Sequence, residues 1–297
     1  MSPRSIEILG VPFNSGGARD GVARAPAVLR AAGLLDELRT AGLQVRDRGD
    51  VELGRTSSER DPASGVIAPG ALATMIRVVR DRVDTIVGEA GFPLVLGGDC
   101  PILLGCLGAP ALAGAGVLFV DGHEDAWLLH ASTTGEAVDM ELGFAVGLTS
   151  DGLPDDLVAE IPRLDARHVV VIGARDAMEL AEAGVASIQG IVDVIRPEAV
   201  DRHGARRIGA STMDRLARTD PTWYHVDLDV LATVSLGAVD YRQPGGLDWA
   251  TLTALSAGAL ASTAVAGWDV TIYNPDLDPD RTDARRIVRY IVDTLSA

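Results

Sequence analysis

Val117-Leu118-Phe119-Val120-Asp121-Gly122-His123-Glu124-Asp125 carries a short apolar run straight into three acids and a histidine. An apolar run this short reads as a strand covered on both faces. Polar residues where such a strand runs out sit where open parallel sheets collect their ligand sites. Alternate side chains of an extended chain point the same way, so Asp121, His123 and Asp125 can converge on one point. His225-Val226-Asp227-Leu228-Asp229 repeats the device, with Asp227 and Asp229 on one face and Val226 and Leu228 on the other.

Outward from these two segments, short apolar runs alternate with longer amphipathic ones. Residues 6–11, 94–96, 117–120, 169–172, 223–226 and 264–273 read as strands; residues 25–40, 70–88, 206–217, 249–262 and 282–296 read as helices. Broad alternation of the two implies an α/β fold, a three-layer αβα arrangement with a central, mostly parallel sheet. No proline-rich linker, low-complexity tract or fixed-period repeat interrupts it, and the polar stretch 54–70 is loop-sized. A single domain over residues 1–297 is the expectation.

Composition narrows the function. A formal net charge of −16 offers no basic footprint for nucleic acid or an anionic membrane. All 26 basic residues are arginines, which excludes a lysine Schiff base, a lysine nucleophile and a Walker-type lysine. Cys100 and Cys106 are too few for a disulfide framework and are not spaced as a CxxC pair, so reduced, cytoplasmic thiols are expected. The start of the chain lacks the long apolar region of a signal peptide, and the small-apolar run 107–120 is too short and too rich in glycine to span a bilayer.

Four carboxylates and an imidazole at buried strand ends would repel one another and lose hydration, at roughly several kcal/mol each. Divalent cations resolve that conflict. Carboxylate-rich ligation with one imidazole suits Mn²⁺ first, with Mg²⁺, Fe²⁺, Ni²⁺ and Zn²⁺ also compatible.

Two more segments join the pattern. Leu94-Val95-Leu96-Gly97-Gly98-Asp99-Cys100-Pro101 reads as a strand ending in a Gly-Gly turn, and the strand in Gly267-Trp268-Asp269-Val270-Thr271-Ile272-Tyr273-Asn274-Pro275 ends at Asn-Pro. In this order the four segments resemble the ureohydrolase family, which includes arginase, agmatinase and formimidoylglutamase. That family carries a Gly-Gly-Asp-His turn, an Asp-Ala-His-x-Asp strand end, an Asp-x-Asp strand end and a late Asn-Pro. Gly10-Val11-Pro12, Gly16-Gly17 and the run Pro26-Ala27-Val28-Leu29-Arg30 resemble its first strand and helix. Here Cys100 replaces the first histidine and Gly122 the alanine.

The resemblance implies two metal ions, with Asp121 and Asp227 shared between them. Asp125 and Cys100 would complete one ion, and His123 and Asp229 the other. It implies hydrolysis of a linear C–N bond in a guanidino or amidino compound by water activated between the ions, and a homo-oligomer such as a trimer or hexamer. A thiolate at Cys100 would soften its ion's site towards Zn²⁺ or Fe²⁺. His225, on the metal-facing side of its strand, would orient a ligand or serve the structure.

Other departures argue against L-arginine. Ile272 stands where the family binds a guanidinium with glutamate, and Val138 where arginase has a proton-shuttling histidine. Met178 and Trp127 replace residues that grip the amino acid's α-amino and α-carboxylate groups. Asp125 is the expected catalytic carboxylate, with Glu136, Asp139 and His130 as candidates for proton transfer or for holding a cationic substrate. A catalytically silent arginase-like partner or regulatory subunit is the alternative reading. A deacylase of the related sheet would use a tandem His-His base, which is absent here, and that reading is remote.

Overall fold

A computed structural model describes residues 5–149, 151–217 and 221–297. The described chain forms one eight-stranded sheet of β1 (Ile6–Val11), β2 (Val45–Asp50), β3 (Phe92–Gly97), β4 (Gly116–Val120), β5 (Val169–Ile172), β6 (Asp193–Ile195), β7 (Thr222–Asp227) and β8 (Val265–Thr271). Its order is β2-β1-β3-β8-β7-β4-β5-β6 and every pairing is parallel. The chain lays β2 outside β1 and β3 inside it, builds β4, β5 and β6 outward on the other flank, and then returns to fill the gap between β3 and β4 with β7 and β8. The carboxyl ends of β3, β4 and β7 therefore gather at the centre of one edge, beside a reversal of strand order where ligands settle in such sheets.

Eleven helices cover the described sheet: α1 (Ala25–Ala31), α2 (Leu34–Thr40), α3 (Pro69–Gly88), α4 (Ile102–Leu107), α5 (Glu141–Val146), α6 (Asp155–Glu160), α7 (Ala177–Glu182), α8 (Pro197–His203), α9 (Ala205–Leu216), α10 (Trp249–Leu260) and α11 (Thr282–Leu295). Strand alternation sorts the core into two layers. Leu118, Val120, Tyr224, Val226, Trp268 and Val270 pack with α1, α2 and α8 to α11 on one face. Val117, Phe119, Val169, Val171 and Trp223 pack with α3 to α6 on the other. Each fully buried aliphatic side chain in these layers contributes about 1.5–3 kcal/mol. α3 shows how the sequence specifies this: Leu72, Met75, Ile76, Val79, Val83 and Ile86 recur at helical spacing and all are buried.

The short helices α5 to α8 were not among the expected elements, and two further details differ. The helix expected over 25–40 breaks at Gly33, whose φ of 98° turns the chain so that Leu34 and Leu38 of α2 reach the core. β2 and β6 were not expected from the sequence. They are the two edges of the sheet, and the half-exposed Val-Arg-Asp-Arg-Gly-Asp of β2 has no apolar run to betray a strand.

Candidate metal centre

β3 hands the chain to α4 through Gly97-Gly98-Asp99-Cys100. Gly98 is needed for close approach, because a Cβ there would lie 2.0 Å from the carbonyl oxygen of Phe13. That contact brings the loop after β1 against the site, where the Ser15 N–H (2.9 Å) and hydroxyl donate to one oxygen of Asp99. Burial pushes Asp99 up to about 7, against the pull of Ser15. Cys100 is buried, and its thiol donates to Asp227. Burial, then the charges of Asp227, Glu141, Asp121 and Asp99, hold that thiol well above its ordinary range.

Asp121 follows the last residue of β4, anchored by its N–H to the carbonyl of Ile172 (3.0 Å). One carboxylate oxygen accepts the N–H of His123 (2.7 Å); the other is buried with no donor. His123 sets Nδ1 2.9 Å from Asp229 and 3.6 Å from Asp121. Extended alternation is not what places Asp125. β4 has already ended, and Asp125 takes a φ of 42°, a left-handed conformation that a short polar side chain tolerates. Its carbonyl accepts the N–H of Gly143 (3.0 Å), which fixes the bend.

At the end of β7 the second acid of the Asp-x-Asp pair likewise leaves the strand. Asp229 lies on a 3₁₀ turn, Leu228–Val230, and its N–H donates to Asp227 (2.7 Å), the local bond aspartate favours at a chain turn. Asp229 in turn accepts the N–H of Gly122 (3.0 Å). Gly122 is glycine for a visible reason, since a Cβ would stand 2.6 Å from Nη1 of Arg175 and 2.8 Å from Asp229. The Arg175 guanidinium spends its donors on the carbonyls of Asp229, Val230, Leu231, Gln243 and Pro244, so it does not ion-pair with the acids.

Asp121, Asp125 and Asp227 are held above the usual carboxylate range, by burial first and next by a neighbouring carboxylate, Asp229 for Asp121 and Asp227 and Asp121 for Asp125. Burial pushes Asp229 up too, but His123, with the Gly122 N–H, outweighs it and leaves Asp229 low. Two groups of donor atoms each lie within 4.8 Å of one another: Asp121 with His123 and Asp229, and Asp121 with Cys100 and His225. Asp121 belongs to both. The observed chemistry fits divalent cations: a crowd of buried acids, an orphaned carboxylate oxygen, and imidazole and thiol donors, with no arginine among the described residues ion-paired to the acids.

A cavity of about 250 Å³ opens onto Cys100, His123, Asp125, Asp227 and Asp229, and is walled by Trp127, Val138, Asp139, Tyr241 and Gln243. Glu136 stands behind that wall and accepts the Tyr241 hydroxyl (2.6 Å). His130 is exposed on the loop after Trp127, outside the cavity lining. Met178 points to solvent with 76% exposure, and Ile272 is buried in the core, its φ of 67° imposed where β8 ends and its N–H reaches the Gly98 carbonyl (2.8 Å). Sequence reasoning missed Glu141, which opens α5 fully buried beside Asp125 with neither oxygen bonded to a donor. The signal was an acid inside the apolar stretch Met140-Glu141-Leu142-Gly143-Phe144.

A model of the Arginase family matches residues 4–296 of the chain. Among curated proteins, the arginase of Bacillus subtilis (strain 168) is 29% identical over 254 residues, 81% of this chain and 83% of that protein. Among solved structures, the arginase of Bacillus caldovelox superposes with a TM-score of 0.85 at 26% identity, covering 99% of both chains. The formimidoylglutamase of Bacillus subtilis shares the fold at a TM-score of 0.70 and 18% identity, over 99% of this chain and 87% of that one.

Proposed function

The chain belongs to the arginase family, and on that premise we propose that it uses two divalent ions, Mn²⁺ foremost, to hydrolyse a linear C–N bond in a guanidino or amidino compound other than L-arginine. The observation that carries this reading is the set of buried acids at the ends of β4 and β7 around a cavity, with no neutralising arginine among the described residues. His123 and Asp229 would serve one ion, Cys100 and Asp125 the other, and Asp121 and Asp227 both. Bound there, such ions supply the Lewis acidity that activates water and steadies charge developing on an sp² carbon and its nitrogens.

The chain's own residues supply the rest. Burial first, then the charges of Asp121 and Glu141, hold Asp125 high in the metal-free chain; at the cavity wall its carboxylate would help to hold an ion and orient the attacking water. Asp139 accepts the Ser132 hydroxyl (2.9 Å) and also that of Thr134, and lines the cavity as an acid suited to a cationic substrate. Glu136 acts only through Tyr241, as a positioning residue. His130 lies too far out on the surface to be favoured as a proton carrier. Ile272 and Val138 offer no charge to an arginine guanidinium, which supports a different substrate. In the same reading the chain is a single domain that assembles into a homo-oligomer.

The test strips the protein with chelator, reloads it with Mn²⁺ and counts ions per chain. Urea or ammonia release is then followed from guanidino acids, agmatine, formimidoylglutamate and hydroxyarginine. Turnover on at least one is expected, and none on any would reject the proposal. The apolar Ile272 and Val138 favour one rival, a silent partner subunit, which requires less than one ion per chain.

A further inference from the structure

His225 sits on β7 two residues before Asp227, wholly buried, and its ring stacks on Phe119 with centroids 4.6 Å apart. Its Nδ1 lies 2.6 Å from Asp269 on neighbouring β8, and a carboxylate can only accept, so Nδ1 carries the proton. Asp269 is fixed in turn by the indole N–H of Trp223. The other ring nitrogen, Nε2, has no hydrogen-bond partner, and as a ligand it would be the unprotonated one. Nε2 faces the orphaned oxygen of Asp121 at 3.9 Å. Two unpartnered, fully buried polar atoms facing each other are costly unless something sits between them.

We propose that His225 is a metal ligand, and that Nε2 of His225, Sγ of Cys100 and a carboxylate oxygen of Asp121 hold one ion. These three donors lie within 4.8 Å of one another, close to the span of two metal–ligand bonds of roughly 2.0–2.3 Å. Asp269 then does what a carboxylate behind a metal-bound imidazole does: it fixes the tautomer and the ring's orientation. Binding of the ion releases the Cys100 thiol proton to solvent. The set is softer than its neighbour, because it trades an oxygen for sulfur, while Asp121, His123 and Asp229 suit a harder ion. The two halves of the centre therefore differ in metal preference, with Zn²⁺, Fe²⁺ or Co²⁺ favoured on the cysteine side and Mn²⁺ on the other. This deepens, and rests on, the reading of the site as a two-ion centre.

The native protein is stripped, reloaded with Co²⁺, and its ions counted. Two ions per chain are expected, with a thiolate-to-Co²⁺ charge-transfer band and two hyperfine-shifted exchangeable imidazole N–H protons, one from His123 and one from His225. That measurement needs no variant. His225→Gln should then lose one shifted proton and weaken the cysteine-side ion by more than the 10–100-fold typical of an outer partner, whereas Asp269→Asn should weaken it within that range. Two bound ions with a single shifted imidazole proton, or with His225→Gln binding both within tenfold of native, would overturn the ligand assignment and leave the two-ion reading standing. No bound ion in the native protein would overturn both.

Discussion

Glu124 and Glu141 are both fully buried glutamates close to the same strand ends, and the fold treats them in opposite ways. Glu124 accepts the Ser187 hydroxyl (2.8 Å), the Ile188 N–H (2.7 Å) and the Arg196 guanidinium (2.9 Å). Glu141 has no donor on either oxygen and faces Asp125, Asp121 and Asp99. Burial is equal, so burial does not distinguish a structural acid from a functional one. What differs is whether the protein itself supplies the neutralising partner. Around Glu124 it does; Glu141 and one oxygen of Asp121 are left without one, and in the function proposed above bound cations supply the compensation there.

The largest effect should follow from Asp227, which touches Cys100 and Asp229. Asp227→Asn should cut turnover about 10³-fold or more, equivalent to ~4 kcal/mol, and lower the ion count measured by plasma emission. In chelated protein the same change should raise the melting temperature, because an amide removes one charge from a cluster with no cation in it. A chelated variant that melts lower than the native chain would erase the contrast between the two regions.

Metal removal comes next. If free metal stands near 1,000 times its dissociation constant, chelation should cost about 4 kcal/mol of stability, read by calorimetry at fixed pH. No change in melting temperature on chelation would mean that the acids are already neutralised within the fold. A matched pair of substitutions makes the comparison direct. Glu124→Gln should destabilise by about 2–3 kcal/mol, at the low end for a broken buried pair because Arg196 is partly exposed, with the ion count unchanged. Glu141→Gln in chelated protein should instead stabilise, on the order of 1 kcal/mol. Equal signs at the two positions would sink the argument.

The contrast also explains what the sequence could and could not disclose. The central strands were legible because β4, β5 and β7 are apolar runs buried on both faces, while β2 and β6 were not, because edge strands carry polar side chains. The acids at 121, 125, 227 and 229 were legible because they interrupt apolar runs. The reason for their convergence was not: Asp125 depends on a left-handed bend and Asp229 on a 3₁₀ turn, neither of which strand alternation describes. Glu124 looked no different from its neighbours, since its partners lie 63 to 72 residues away. The same holds for His225, whose free nitrogen is defined only once Asp269 of β8 occupies the other.

Asp176 lies between the two regimes and gives the finest test. One of its oxygens accepts the N–H of Glu124 (3.0 Å), while the other is buried without a donor. Burial, helped by the charge of Glu124, pushes its carboxyl up to about 6, against the pull of that N–H and of His123. A folded pKa above the unfolded value means the folded chain binds the proton more tightly, so this group's favourable contribution is present below about pH 4 and is lost as pH rises to about 6. Asp176→Asn keeps an oxygen for the Glu124 N–H and cannot ionise. In chelated protein its stability relative to native should therefore climb by about 1–2 kcal/mol between pH 4 and pH 7, after allowance for solvent screening. Any constant cost of the new amide shifts the whole difference curve without changing its slope. A flat difference across that window, measured by denaturant unfolding, would mean that Asp176 is as well served by its surroundings as Glu124 is.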